Sequence, residues 1–139
     1  MSDKAFLDTN ILVYAHEPGT GLKHERARAI IEKLWETGGG VLSTQVLQEL
    51  CVSLRRKMAK PWTVDETRSL ILNYMNWQLV VNTTDSVLEA LAIEDRYQIS
   101  FWDALIIQAA ESSGAAILYS EDLSDGQTYG SVRVVNPLN

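Results

Sequence analysis

Short apolar runs at Ala5–Asp8, Val41–Ser43, Gln78–Val81, Ala116–Tyr119 and Val132–Val135 alternate along the chain with longer stretches of helical spacing. Runs this short and this apolar predict strands covered on both faces, and parallel strands need helical crossovers between them. The intervening segments supply those helices. Asn10–His16 continues from the first strand until Pro18, Gly19 and Gly21 break the chain. Lys23–Thr37 places Ala27, Ile30, Ile31 and Leu34 on one face and stops at three successive glycines, 38 to 40. Further helices are expected from Gln45 to Met58, and from a Thr63-x-x-Glu66 capping box to about Asn76. Two more follow over Ser86–Tyr97 and Phe101–Ser112, the last capped at Ser100-x-x-Asp103. No linker or repeat divides this pattern, so residues 1–139 read as a single α/β domain with a mainly parallel sheet.

Composition narrows the class. With 46% apolar residues and no run of membrane-spanning length, a cytoplasmic globular protein is expected, and a membrane partner is not. The lone Cys51 has no partner for a disulfide and sits in an apolar helical stretch, where a buried thiol is expected. The net charge of −6 argues against broad, nonspecific nucleic-acid binding. That charge is uneven: residues 1–70 hold ten Lys/Arg against nine Asp/Glu, whereas residues 71–139 hold two against nine. The basic cluster Arg55, Arg56, Lys57 and Lys60 falls at the end of a helix. It complements the helix dipole there, and it also offers a phosphate-contacting edge.

Acids recur beside core-forming segments: Asp8 after the first strand, Glu49 within a helix, Asp103 at a helix start, and Glu121-Asp122 after the fourth strand. Each has a local explanation. Asp8 fits an N-cap, Asp103 fits the acidic arm of the Ser100 capping box, Glu49 fits a solvent-facing helix position, and Glu121 and Asp122 fit a loop. Local explanations account less well for the recurrence. In open parallel sheets, ligands bind beyond the carboxyl ends of the strands, and this brings Asp8 and Asp122 to one edge. Carboxylates gathered there repel one another unless a cation intervenes. An all-oxygen donor set favours Mg²⁺ or Mn²⁺ over Zn²⁺. The sequence shows no Gly-rich phosphate loop, nucleophile elbow or paired-cysteine motif, and His16 and His24 lack metal-ligand spacing. Metal-assisted phosphodiester hydrolysis remains.

Asp8-Thr9-Asn10, Glu49 in a helix after a short strand, Asp103-Ala104-Leu105-Ile106 and Ser120-Glu121-Asp122 resemble, in order and spacing, the acid motifs of PIN-domain ribonucleases. The closest match is to the VapC-type toxins of prokaryotic toxin–antitoxin pairs. The resemblance runs from Phe6 to Val135. It implies a three-layer α/β/α PIN-like fold, Mg²⁺- or Mn²⁺-dependent endonucleolytic cleavage of RNA, a homodimer, and inhibition by a cognate antitoxin. It also implies that Asp8, Glu49, Asp103 and Asp122 are the catalytic, metal-binding acids, with Glu121 and Asp125 as alternatives or supplements to Asp122. Thr9, Asn10 and Ser120 match positions that orient an acid or a water at the metal.

Three other readings compete. A receiver domain would need a lysine after its fifth strand, and no lysine follows Lys60. A catalytically silent PIN-fold interaction protein would not need the intact acids. A metal-dependent phosphatase would use similar acids but turn over monoesters. Of the tryptophans at helix ends, Trp102 adjoins Asp103; packing is the ordinary expectation for it, and stacking on an RNA base the minor one.

Overall fold

The computed structural model describes residues 3–139. Six strands form one sheet: β1 (Ala5–Leu7), β2 (Gly40–Ser43), β3 (Gln78–Val80), β4 (Ile117–Tyr119), β5 (Thr128–Tyr129) and β6 (Val132–Val135). Their order is β3-β2-β1-β4-β6-β5, and every neighbouring pair is parallel except β5 with β6. Helices α1 (Thr9–Ala15), α2 (Leu22–Thr37), α3 (Thr44–Arg56) and α4 (Val64–Tyr74) join β1 to β2 and β2 to β3. Both steps move the same way across the sheet, so right-handed crossovers place these helices on one face. α5 (Thr84–Tyr97) and α6 (Phe101–Ser112) return the chain from β3 to β4 and cover the other face. The result is the α/β/α architecture.

The central strands β1 and β2 are buried at every position, as a parallel sheet covered on both faces requires. α6 is buried continuously from Ala104 to Ala110, because it lies between the sheet and α5. Gly40 lets β2 pass beneath the ring of Trp77: a Cβ there would collide with the indole. Trp77 in turn packs edge-on to Tyr74 and Trp35, while His16 meets Trp62 and Tyr74. His16 Nε2 lies 2.8 Å from the Tyr74 hydroxyl. Burial, helped by His24, pushes the His16 imidazole down to about 4, and burial raises the Tyr74 phenol. The ring is therefore neutral at pH 7 and shares one hydrogen bond with the phenol.

Several boundaries differ from expectation for identifiable reasons. β5 was not expected. It is a two-residue strand turned back on β6, held where Tyr129 packs against Tyr97 at 4.9 Å and the Gly130 N–H reaches the Tyr97 hydroxyl at 3.0 Å. α5 starts before Ser86, because Ser86 is the reciprocal arm of a capping box at Thr83. The Thr63–Glu66 box forms as the spacing predicts. At Ser100 only one arm exists: the Asp103 N–H donates to Ser100 Oγ at 3.1 Å, and the Asp103 carboxylate does not close a box. Cys51 is partly exposed rather than buried. Trp102 is 63% exposed, touching Phe101 edge-on, so it does not pack over the core. No helix among the described residues is long and apolar enough to cross a membrane.

Candidate active site

β1 ends at Leu7 and β4 at Tyr119, and these residues are paired in register. The residues that follow each strand therefore meet at the carboxyl edge of the sheet. Asp8, extended at φ −71° and ψ 156°, caps α1: its Oδ1 accepts the Thr9 N–H at 2.7 Å. Its Oδ2 accepts the Ser120 hydroxyl at 2.8 Å. The same Ser120 oxygen receives the Asp122 N–H at 3.2 Å. Thr9, the first residue of α1, sends its hydroxyl to Glu49 Oε1 of α3 at 2.7 Å. Thr9 thus holds Asp8 and Glu49, and Ser120 ties Asp8 to the backbone of Asp122.

These contacts form one end of a cleft of about 660 Å³ between α1 and α3. Thr9, Asn10, Glu49, Lys57 and Asp122 line it, and Val13 and Val52 supply apolar wall. Asp8 lies beneath, 7% exposed. Burial pushes its carboxyl up to about 6; the Ser120 and Thr9 hydrogen bonds oppose that shift, and the charges of Asp122 and Glu49 add to it. Asn10 Oδ1 accepts the Glu121 N–H at 3.4 Å, and its Nδ2 is buried without an acceptor.

Glu121 and Asp125 are engaged elsewhere. Glu121 takes the Tyr14 hydroxyl on Oε1 at 2.8 Å and pairs with Lys23 through Oε2. Asp125 Oδ1 accepts the Asn136 N–H at 3.0 Å. Asp103, in the first turn of α6, does not line the cleft; its charge reaches Tyr129 instead. Among the described residues, no three His, Cys, Asp or Glu side chains stand close enough together to enclose a metal ion. Of the basic cluster, Arg55 and Arg56 occupy the last turn of α3, where they complement its dipole. Lys57 borders the cleft, and Lys60 lines a separate hollow with His16 and Trp62.

Tyr14, Lys23 and Gln45 were not anticipated from the sequence. Gln45 Nε2 donates to the Trp102 carbonyl at 3.3 Å and ties α3 to the start of α6. These partners lie 107, 98 and 57 residues apart along the chain, so no local spacing announces them.

The PIN domain model matches residues 5–124, and the chain belongs to that family. Its fold is similar to a toxin–antitoxin complex protein from Klebsiella pneumoniae: TM-score 0.69, 18% identity, 96% of this chain and 98% of that one covered. It is likewise similar to VapC20 of Mycobacterium tuberculosis, described as a sarcin–ricin loop cleaving toxin: TM-score 0.67, 20% identity, coverages 94% and 99%. A third match is VapBC2 from Rickettsia felis, solved bound to a DNA fragment from its promoter: TM-score 0.65, 18% identity, coverages 94% and 96%. Comparison with curated proteins gives no match.

Proposed function

We propose that the chain is a metal-dependent endoribonuclease and the toxin of a type II toxin–antitoxin pair. The observation that carries this reading is Asp8: a carboxylate held by two hydrogen bonds, whose burial, with the charges of Asp122 and Glu49 adding to it, raises its pKa against the pull of those bonds. Such an arrangement gains a counter-charge from a divalent cation. The donors are all carboxylate oxygens, which fits Mg²⁺ or Mn²⁺. Asp8, Glu49 and Asp122 would supply the carboxylates, drawing closer around the ion than they stand without it; Asp103 enters the set on family resemblance. When bound, the cation would activate water and offset charge on a phosphodiester.

The chain's own residues do the rest. Thr9 fixes Asp8 through its N–H and Glu49 through its hydroxyl, so the two acids keep one orientation. Ser120 holds Asp8 by its hydroxyl and the backbone of Asp122 by its oxygen. Asn10 lines the cleft beside the acids and steadies the neighbouring loop by taking the Glu121 N–H on its Oδ1. Lys57, the C-cap of α3, lies about 12 Å beyond Glu49 along the helix axis and suits a neighbouring phosphate. RNA is the proposed substrate. A cognate antitoxin is a proposed partner, since the Klebsiella structure is a toxin–antitoxin complex; a second copy of the chain is proposed on family resemblance alone.

The test is cleavage of a panel of structured and unstructured RNAs with Mg²⁺ or Mn²⁺, against EDTA and an Asp8→Asn control. Cleavage that requires both metal and Asp8 supports the reading. Folded, antitoxin-free protein that leaves every RNA intact and takes up no Mn²⁺ by calorimetry would sink it.

A further inference from the structure

Asp122 sits in a loop just past β4, and a loop is a poor place to hold a ligand precisely unless other elements fix it. Here the fixing comes through Glu121, the adjacent residue, whose carboxylate binds Lys23 and Tyr14, the latter part of the cleft wall. Glu121 Oε1 accepts the Tyr14 hydroxyl at 2.8 Å, its Oε2 binds the Lys23 ammonium, and Lys23 Nζ stands 5.0 Å from the centre of the Tyr14 ring. Each member of this three-residue clamp touches the other two, because Lys23 Nζ also reaches the Tyr14 hydroxyl at 3.5 Å. Backbone ties complete it: the Glu121 N–H meets Asn10 and the Asp122 N–H meets Ser120.

The Glu121 carboxylate is paired with the Lys23 ammonium, which offsets its charge on the spot. It would otherwise add a fourth negative charge next to Asp122, Glu49 and Asp8. Tyr14 belongs to α1 and Lys23 to α2, so the clamp ties the loop to the same helix that Asp8 caps.

We propose that Tyr14 and Lys23 are positioning residues: by clamping Glu121 they hold Ser120–Asp122 so that the Asp122 carboxylate faces the cleft beside Glu49 and Asp8. Neither touches the acids of the site. They act through Glu121 and the backbone. The consequence for metal binding rests on the nuclease reading above; the mechanical claim does not.

The experiment uses the full chain with Tyr14→Phe, Lys23→Ala, the double variant, and Lys23→Arg as the conservative rescue. Three quantities are read: backbone amide exchange over residues 120–125, Mn²⁺ binding by calorimetry, and melting temperature. An exposed ion pair contributes little to global stability, so the melting temperature should stay near that of the unaltered protein. Exchange should accelerate in 120–125 and not in the sheet. Mn²⁺ affinity should fall by about 10- to 100-fold, the loss usual when an outer partner of a metal ligand is removed. Lys23→Arg should restore both. Unchanged exchange in the double variant overturns the proposal. Accelerated exchange in a protein whose unaltered form binds no Mn²⁺ upholds the clamp and rejects the nuclease.

Discussion

Replacing Asp8 by Asn should stabilise the metal-free protein at neutral pH while abolishing cleavage. The magnitude follows from the carboxyl's displacement from 3.8 to about 6. Each pKa unit corresponds to about 1.4 kcal/mol, so ionised Asp8 costs the fold about 3 kcal/mol. The sign follows from proton binding. The folded carboxyl holds its proton more tightly than the unfolded one, so its contribution is complete below 3.8 and is lost as pH rises through about 6. Asn carries no charge to bury. Its oxygen can keep the Thr9 N–H, but the Ser120 hydroxyl loses its acceptor, a cost of about 1 kcal/mol. The variant should therefore be slightly less stable than the unaltered protein near pH 4 and about 2 kcal/mol more stable at pH 7.5. The assay is urea unfolding in EDTA at three or four pH values, with the slope of the transition compared to ensure that only the midpoint moves. A stability difference that does not change with pH, or an Asn variant weaker at pH 7.5, would refute the claim that burial strains Asp8. Such a trade of stability against activity is the expected signature of a site whose charge is incomplete without its ligand.

Ser120→Ala removes the hydrogen bond that most opposes the rise in the Asp8 pKa, so that pKa should climb further. The acid limb of a pH–rate profile, or of Mn²⁺ binding, should then move to higher pH. His16 works in the opposite sense: its folded pKa of about 4 lies below the unfolded 6.5, so its contribution is present above 6.5 and lost as pH falls through 4. His16→Gln should flatten the acid limb of stability between those values, by up to about 3 kcal/mol at the low end, as read by urea midpoints; an unaltered acid limb would mean that the ring is not held neutral. Gly40→Ala places a methyl group against the Trp77 indole in a part of the core with no space to yield. A loss of about 1–3 kcal/mol in denaturant unfolding is expected, and a neutral result would show that β2 and Trp77 can separate freely.

The sequence made the frame legible because the frame is built from local signals. Apolar runs of strand length, the glycine stop after α2 and the Thr63–Glu66 box each act within a few residues. β5 lacked such a signal: two residues have no periodicity, and the strand exists because distant Tyr97 receives Tyr129 and Gly130. The site divides along the same line. Asp8, Glu49 and Asp122 were identifiable as acids adjoining core segments, and strand-end topology alone brings the first and last together. Their distinct conditions were not identifiable, since Asp8 is nearly buried while Glu49 and Asp122 face the cleft.

The choice among Glu121, Asp122 and Asp125 shows why. Three acids within five residues are equivalent to any reading of spacing. They differ only in what reaches them from elsewhere: Tyr14 and Lys23 occupy Glu121, the Asn136 backbone occupies Asp125, and Asp122 keeps its carboxylate unbonded on the cleft. Two acids engaged in structural bonds leave the one between them unbonded on the cleft, and that allocation is made by residues on α1, α2 and the chain's end. A substitution at Lys23 should therefore disturb Asp122 although the two residues share no bond. Asp125→Asn should not disturb it, because the amide oxygen can still accept the Asn136 N–H. Comparing Mn²⁺ affinity in these two variants separates an acid that organises the loop from an acid that merely adds charge to it. If Asp125→Asn proved the more damaging, Asp125 and not Asp122 would be the acid the site depends on.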